Sequence, residues 1–175
     1  MAISSGKLSV LVGKDFACLR IAGRANFTCS PDFKTLLHGL AQKGYRRFII
    51  DLSECVLMDS TFLGVLSGFG LKMNSANGTP AGAGVELLNA NARVAELLEN
   101  LGAARLFKMS TGALELPGEV QATTPEPANP SCEEITRICL EAHQTLMAMN
   151  PDNAARFKDV TRFLAEDLKN LEKSS

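Results

Sequence analysis

The sequence predicts an α/β fold: a mixed β-sheet of four to five strands flanked by helices, followed by a C-terminal α-helical hairpin. Three observations indicate this class. Short apolar runs typical of buried strands alternate with segments of helical periodicity over residues 7–109. A proline-rich stretch then interrupts this alternation. Two amphipathic helical patterns follow it, and each opens with its own start signal.

Five segments have the length and pattern of strands. The first alternates polar and apolar residues, and Lys14-Asp15 after Gly13 predicts a tight turn into the second. The remaining strands are separated by helical segments, which implies crossovers and therefore a sheet with parallel pairs. The predicted strands are Lys7–Val12, Phe16–Gly23, Arg47–Leu52, Gly84–Leu88 and Arg105–Met109.

Apolar residues at steps of three and four predict three helices between these strands. They run from Ser30 to Gly44, from Ser60 to about Ser75, and from Asn89 or Asn91 to Gly102. Ser30 fits the N-cap of the first helix and Pro31 its first helical position. The turn residues of 77–82 predict a loop.

Residues 111–130 predict a linker, because four of the seven prolines lie there with almost no aromatic or β-branched content. The chain therefore divides into a domain at 1–110, this linker, and a hairpin at 131–175. Ser131 and Glu134 match a capping box, and Asn150-Pro151 ends one helix and starts the next. Two helices rarely enclose a core, so their apolar stripes must meet the first domain or a second copy. A homodimer through 131–175 is one expectation, and a helix-in-groove partner site is the alternative.

Composition excludes several classes of function. The net charge of −1 gives no argument for nucleic acid or a membrane surface, and no run approaches the roughly 18 apolar residues of a spanning helix. The N-terminus lacks a signal-peptide pattern, so a cytoplasmic location is expected. The five cysteines form no C-x-x-C pair, and neither His38 nor His143 is followed by a second ligand three or four residues later. We expect neither a metal nor another cofactor.

One stretch suggests chemistry as well as packing: Asp59-Ser60-Thr61, at the junction between a strand and a helix. Each of the three side chains can cap the helix, because its oxygen can accept from free backbone N–H groups. The same position places a hydroxyl beside the positive end of the helix dipole, where added negative charge is tolerated. No nucleophile–base pair, metal set or phosphate loop is recognisable, and Gly78–Gly84 lacks the G-x-x-x-x-G-K pattern, so an enzyme is not expected.

Taken together, residues 7–109 resemble a STAS domain, the fold of bacterial anti-sigma factor antagonists. Each motif alone is weak, but their order and spacing across about six tenths of the chain are fairly specific. The motifs are Leu19–Gly23, Ile49–Leu52 followed by Met58–Thr61, Gly64–Leu66, and Val85–Asn89 leading to Leu106-Phe107. The hairpin at 131–175 lies outside the minimal domain.

The resemblance implies a partner-switching protein in signal transduction and transcription regulation. In such antagonists the serine after the aspartate is phosphorylated by a serine kinase that is also the anti-sigma factor. The unphosphorylated antagonist binds that kinase and frees a sigma factor, and a PP2C-type phosphatase resets the cycle. Matched residue by residue to this chain, the family pattern implies that Ser60 is the phosphoacceptor, with Thr61 as the alternative. It also implies that the partner surface contains Asp59, Thr61, Phe62 and Leu63.

Two points remain open at this level. The family commonly has glycine where this chain has Phe62, and such a ring must either enter the core or widen the apolar surface near Ser60. The alternative function is a STAS scaffold or subunit that binds a protein partner without phosphorylation, such as a stress-sensing complex or a transporter ATPase.

Overall fold

The computed structural model describes residues 6–75, 84–114, 116, 121–123, 125 and 129–174. Within them the strands are β1 (Lys7–Val12), β2 (Phe16–Ala25), β3 (Arg47–Asp51), β4 (Cys55–Met58), β5 (Gly84–Leu88), β6 (Lys108–Ser110) and β7 (Gln121–Thr123). The helices are α1 (Ser30–Gln42), α2 (Ser60–Ser75), α3 (Ala92–Asn100), α4 (Cys132–Met149) and α5 (Pro151–Ser174), with a 3₁₀ turn at Ala104–Leu106.

The strands form one mixed sheet in the order β6-β5-β3-β2-β1-β7, and β4 pairs with the far end of β2. The predicted hairpin of β1 and β2 is antiparallel, whereas β2, β3, β5 and β6 pair in parallel. The predicted α/β class, with a mixed sheet, flanking helices and a C-terminal helical pair, is confirmed.

The structure differs from the predicted strands at three places. It adds β4, a strand of four residues that pairs with β2 in parallel. It also adds β7, three residues of the predicted linker that pair with Val10–Val12 of β1. The last predicted strand starts late, because Ala104–Leu106 forms the 3₁₀ turn before β6. The predicted loop at 77–82 lies outside the described residues, as does part of the predicted linker.

Aromatic rings of α1, α2 and β3 form the centre of the core. The rings of Phe33 and Phe62 stack with centroids 4.3 Å apart, and Phe48 and Phe69 meet edge to face at 4.8 Å. Phe33, Phe48 and Phe62 are completely buried. Such pairs add to the free energy of burying their area, so this cluster fixes α2 firmly against the sheet.

The structure identifies the N-cap residues of α1 and α3. Cys29, not Ser30, occupies the N-cap of α1, and the Ser30 hydroxyl instead donates to the carbonyl of Asn26. The prediction that Ser30 caps α1 is therefore wrong, because its side chain bonds backwards to the preceding turn. For α3 the cap is Asn91, which accepts from the N–H of Val94 at 2.9 Å.

The C-terminal hairpin packs on the first domain through α4, which contacts both α2 and α5. The predicted capping box is present, with Ser131 and Glu134 bonding each other's backbone N–H groups. The apolar stripe of α4 therefore meets the first domain, one of the two expected outcomes. The outer side of α5 stays exposed at Val160 and Phe163.

Asn153 joins the start of α5 to the first domain. Its side chain is fully buried, and its Nδ2 donates to the carbonyls of Leu101 at 2.9 Å and Leu146 at 2.8 Å. Leu101 follows α3, whereas Leu146 belongs to α4. One side chain thus holds both elements together.

We expect Asn153→Ala to destabilise the docked hairpin. Leaving a buried carbonyl without its donor costs about 1–3 kcal/mol, so the variant should lose at least that much free energy of unfolding. Urea unfolding followed by circular dichroism measures the loss. An unchanged midpoint would show that the hydrogen bonds to Leu101 and Leu146 contribute nothing to stability.

No helix of the described residues is long and apolar enough to span a membrane. Among the same residues, no group of three or more His, Cys, Asp or Glu side chains is arranged to hold a metal ion.

Candidate functional site

The candidate site lies where β4 ends at Met58 and α2 begins at Ser60. The pairing of β4 with β2 brings this junction beside Ala25, whose carbonyl accepts from the N–H of Asp59 at 2.9 Å. A short strand that sequence analysis did not predict therefore positions the predicted site residues.

Asp59 caps α2. Its Oδ1 accepts from the N–H of Phe62 and its Oδ2 from the N–H of Phe27, both at 2.8 Å. Burial raises the pKa of Asp59, and these two backbone hydrogen bonds oppose that rise. Of the three possible capping side chains, the aspartate takes the role, so the Ser60 hydroxyl is not the cap.

The Ser60 hydroxyl instead contacts α4. Its Oγ lies 2.8 Å from Nε2 of His143, and Nδ1 of the same ring lies 2.7 Å from the carbonyl oxygen of Cys139. A carbonyl only accepts, so Nδ1 must carry a hydrogen; in the neutral ring Nε2 is then the acceptor. In that neutral form Ser60 donates to His143. The imidazole is buried, and Phe157 of α5 packs edge to face against it at 5.0 Å.

The other predicted partner-binding residues point into the protein. Thr61 is buried against Cys139 of α4; burial raises the pKa of that thiol, and a hydrogen bond with Thr61 acts against the rise. Phe62 and Leu63 are completely buried in the core. Of the two possibilities for the Phe62 ring, the structure shows entry into the core. In this conformation neither Phe62 nor Leu63 presents surface to a partner.

Glycines on α2 allow α4 to approach closely. A Cβ built on Gly64 would lie 2.5 Å from the carbonyl oxygen of Ala142, closer than real Cβ atoms come. A Cβ on Gly68, one turn further along, would lie 3.7 Å from Cγ2 of Thr145, an ordinary contact. Of these two positions, Gly64 is where α4 comes closer, and it lies about one turn from Ser60.

Ser60 and His143 have the spacing of a nucleophile and its general base. Catalysis also needs room for a substrate at the hydroxyl. The cavity of about 200 Å³ between α1, α2 and α4 is lined by residues such as Lys34, Gly68 and Glu141, but by neither member of the pair. The arrangement therefore favours a hydroxyl that is held and covered.

Sequence analysis missed the role of His143, which it treated as an isolated histidine. The contact joins residues 83 positions apart, so no local spacing reveals it. The available signal was the pair Gly64 and Gly68, four residues apart on one face of α2, which marks a site of close helix approach. That signal predicts a neighbouring helix but does not identify which one.

The STAS domain family model matches residues 7–113. An anti-sigma factor antagonist from Mycobacterium paratuberculosis superposes with a TM-score of 0.51 at 14% identity, covering 61% of this chain and 86% of its own; at that identity the likeness shows the fold.

Two further solved structures are similar to this chain. A putative anti-sigma factor antagonist from Thermotoga maritima has 22% identity, a TM-score of 0.49, and coverage of 58% of this chain and 83% of its own. The phosphorylated Bacillus cell fate determinant SpoIIAA has 14% identity, a TM-score of 0.48, and coverage of 62% and 92%. Among the curated proteins no relative of significant similarity is found. The family match covers more than half of the residues and ends before α4, and the chain belongs to the STAS domain family.

Proposed function

We propose that this protein is a phospho-regulated anti-sigma factor antagonist whose switch is Ser60. The unphosphorylated form binds a serine kinase that is also an anti-sigma factor, which frees a sigma factor in the cytoplasm. Phosphorylation of Ser60 blocks this binding, and a PP2C-type phosphatase reverses it. The observation that supports the proposal is that Asp59, and not Ser60, caps α2, so the backbone of the helix does not use the Ser60 hydroxyl.

The chemistry is a phosphoryl transfer from a nucleoside triphosphate bound by the kinase. Ser60 Oγ attacks the γ-phosphorus, the new O–P bond forms as the bond to the leaving nucleoside diphosphate breaks, and a base takes the hydroxyl proton. The product carries about −1.5 to −2 charges at the N-terminus of α2, where the helix dipole is favourable. The fold of the domain can therefore tolerate the modification.

Thr61 is the weaker candidate for phosphorylation. Its side chain is only 5% exposed, whereas Ser60 is partly exposed. The Thr61 hydroxyl is therefore less accessible to the γ-phosphorus of a kinase-bound nucleotide than the Ser60 hydroxyl. Ser60 is therefore the residue that we propose as the phosphoacceptor.

The test is the intact mass of the full chain purified from its own cells, followed by mapping of the modified residue. Ser60→Ala removes the proposed acceptor, and Thr61→Val removes the neighbouring hydroxyl while keeping its shape. We expect one phosphate on the wild-type chain and on Thr61→Val, and none on Ser60→Ala. A phosphate retained by Ser60→Ala would reject Ser60 as the acceptor.

The second candidate is a scaffold or subunit that binds a stress-sensing complex or a transporter ATPase without being phosphorylated. The hydrogen bond from Ser60 to His143 favours it, because it gives the hydroxyl a structural role. Absence of phosphate from the wild-type chain in growing and stressed cells alike would support this candidate over the first.

A further inference from the structure

The part of the STAS domain that carries Ser60 is covered by a helix of the same chain. Helix α4 lies across the first two turns of α2, where His143 accepts the Ser60 hydroxyl and Cys139 covers Thr61. We propose that α4 occupies the partner-binding face of the domain, so that a kinase reaches Ser60 only after the hairpin has swung away. This inference rests on the proposed function and adds its regulation.

The contact has the features of a specific docking surface. Gly64 allows the backbone of α4 to approach α2 closely, because any side chain at position 64 would collide with Ala142. The His143 ring is buried and both of its nitrogens are hydrogen-bonded. Lys34 of α1 and Glu141 of α4 form an ion pair at 2.9 Å, although such exposed pairs add little. Shape and hydrogen bonds together define one position for α4.

Docked α4 and a bound kinase are mutually exclusive. In the docked state the Ser60 hydrogen is engaged by Nε2 and the imidazole covers that side of the oxygen, so an in-line approach of a γ-phosphorus is obstructed. The apparent affinity for the partner then equals the affinity of the open state multiplied by the fraction of molecules that are open. By reciprocity, any ligand that binds only the open hairpin raises the apparent affinity of a partner that also requires the open state.

Gly64→Ala tests the proposal by forcing the helices apart, and Gly68→Ala is its matched control. Both variants place a methyl group on the same face of α2, and both gain about 1 kcal/mol of helix propensity. Only the methyl at position 64 meets backbone, at 2.5 Å, whereas the one at position 68 makes an ordinary contact at 3.7 Å. Asn153→Ala loosens the hairpin from a distant point and serves as a second opening variant.

Two native thiols report opening without a kinase. Cys139 lies in the covered interface and burial raises its pKa, whereas Cys132 at the start of α4 is exposed. The readout is the rate of alkylation by iodoacetamide at Cys139 relative to Cys132 in the folded full chain, followed by peptide mass spectrometry. We expect a several-fold higher ratio in Gly64→Ala and Asn153→Ala than in the wild type, and no change in Gly68→Ala.

The same four proteins, purified from their own cells, give the second readout, the fraction phosphorylated at Ser60. We expect that fraction to rise in the two opening variants and to match the wild type in Gly68→Ala. An equal alkylation ratio in all four proteins would overturn the proposal. A higher alkylation ratio in the two opening variants, with the same phosphorylated fraction in all four proteins, would also overturn it. That second outcome would leave the proposed function of Ser60 intact. Complete absence of phosphate, even in variants with fast Cys139 alkylation, would reject the proposed function and this regulation with it.

Discussion

Phe62→Ala is expected to lower the free energy of unfolding by about 3–5 kcal/mol, the usual cost of removing a large buried ring. The ring is completely buried and stacks on Phe33 at 4.3 Å, so its loss opens a cavity between α1 and α2. A loss of this size is a large part of the stability of an ordinary domain. Urea denaturation followed by circular dichroism measures it.

Phe27→Ala is the matched control, because that ring is 47% exposed and lies beside the same junction. A surface substitution of this kind should change stability by less than about 0.5 kcal/mol. If Phe62→Ala lost no more than Phe27→Ala, the ring would have to lie outside the core. Phe62 would then again be a candidate residue of the partner-binding surface.

Ser60→Asp is expected to weaken binding of the serine-kinase partner by two to three orders of magnitude. A charge left uncompensated in an interface costs about 3–5 kcal/mol, and Asp59 next to it supplies no compensation. Thermal stability should stay near that of the wild type, because the N-terminus of a helix accommodates an acidic side chain. Titration calorimetry with the purified partner gives the dissociation constant.

Ser60→Asn separates charge from size in the same experiment. Asparagine has nearly the shape of aspartate but no charge, so this variant should keep most of the partner affinity. Equal weakening by the two substitutions would attribute the effect to shape, and equal binding by all three proteins would contradict a charge switch at Ser60.

The main elements of the fold were predictable because their signals are local. Alternation in Lys7–Val12 and helical periodicity in the segment after Ser60 need only neighbouring residues to be recognised. Strands β4 and β7 were not predicted, since three or four residues are too few to show a period. Both exist because an already formed neighbour, β2 or β1, offers unpaired backbone groups.

The candidate site was only partly predictable. The position of Asp59 and Ser60 at a strand-to-helix junction follows from sequence, but the identity of the cap does not, because all three polar side chains there carry a suitable oxygen. The contact with His143 depends on how the hairpin docks, which is a tertiary property. The exposure of Phe62 likewise depended on whether Phe33 offered a stacking surface.

The central claim is that α4 must leave before Ser60 can be phosphorylated, and a reversible lock tests it most directly. A Cβ on Gly68 would lie 3.7 Å from Cγ2 of Thr145, an atom whose position a cysteine sulfur can take, so the two sulfurs of the double variant Gly68→Cys, Thr145→Cys come within reach of each other between α2 and α4. The measurement is the rate of Ser60 phosphorylation by the purified kinase, before and after reduction of that one protein. We predict that the oxidised protein resists phosphorylation at Ser60 and that the reduced protein is phosphorylated. Equal rates in the two states would contradict the requirement that α4 leaves.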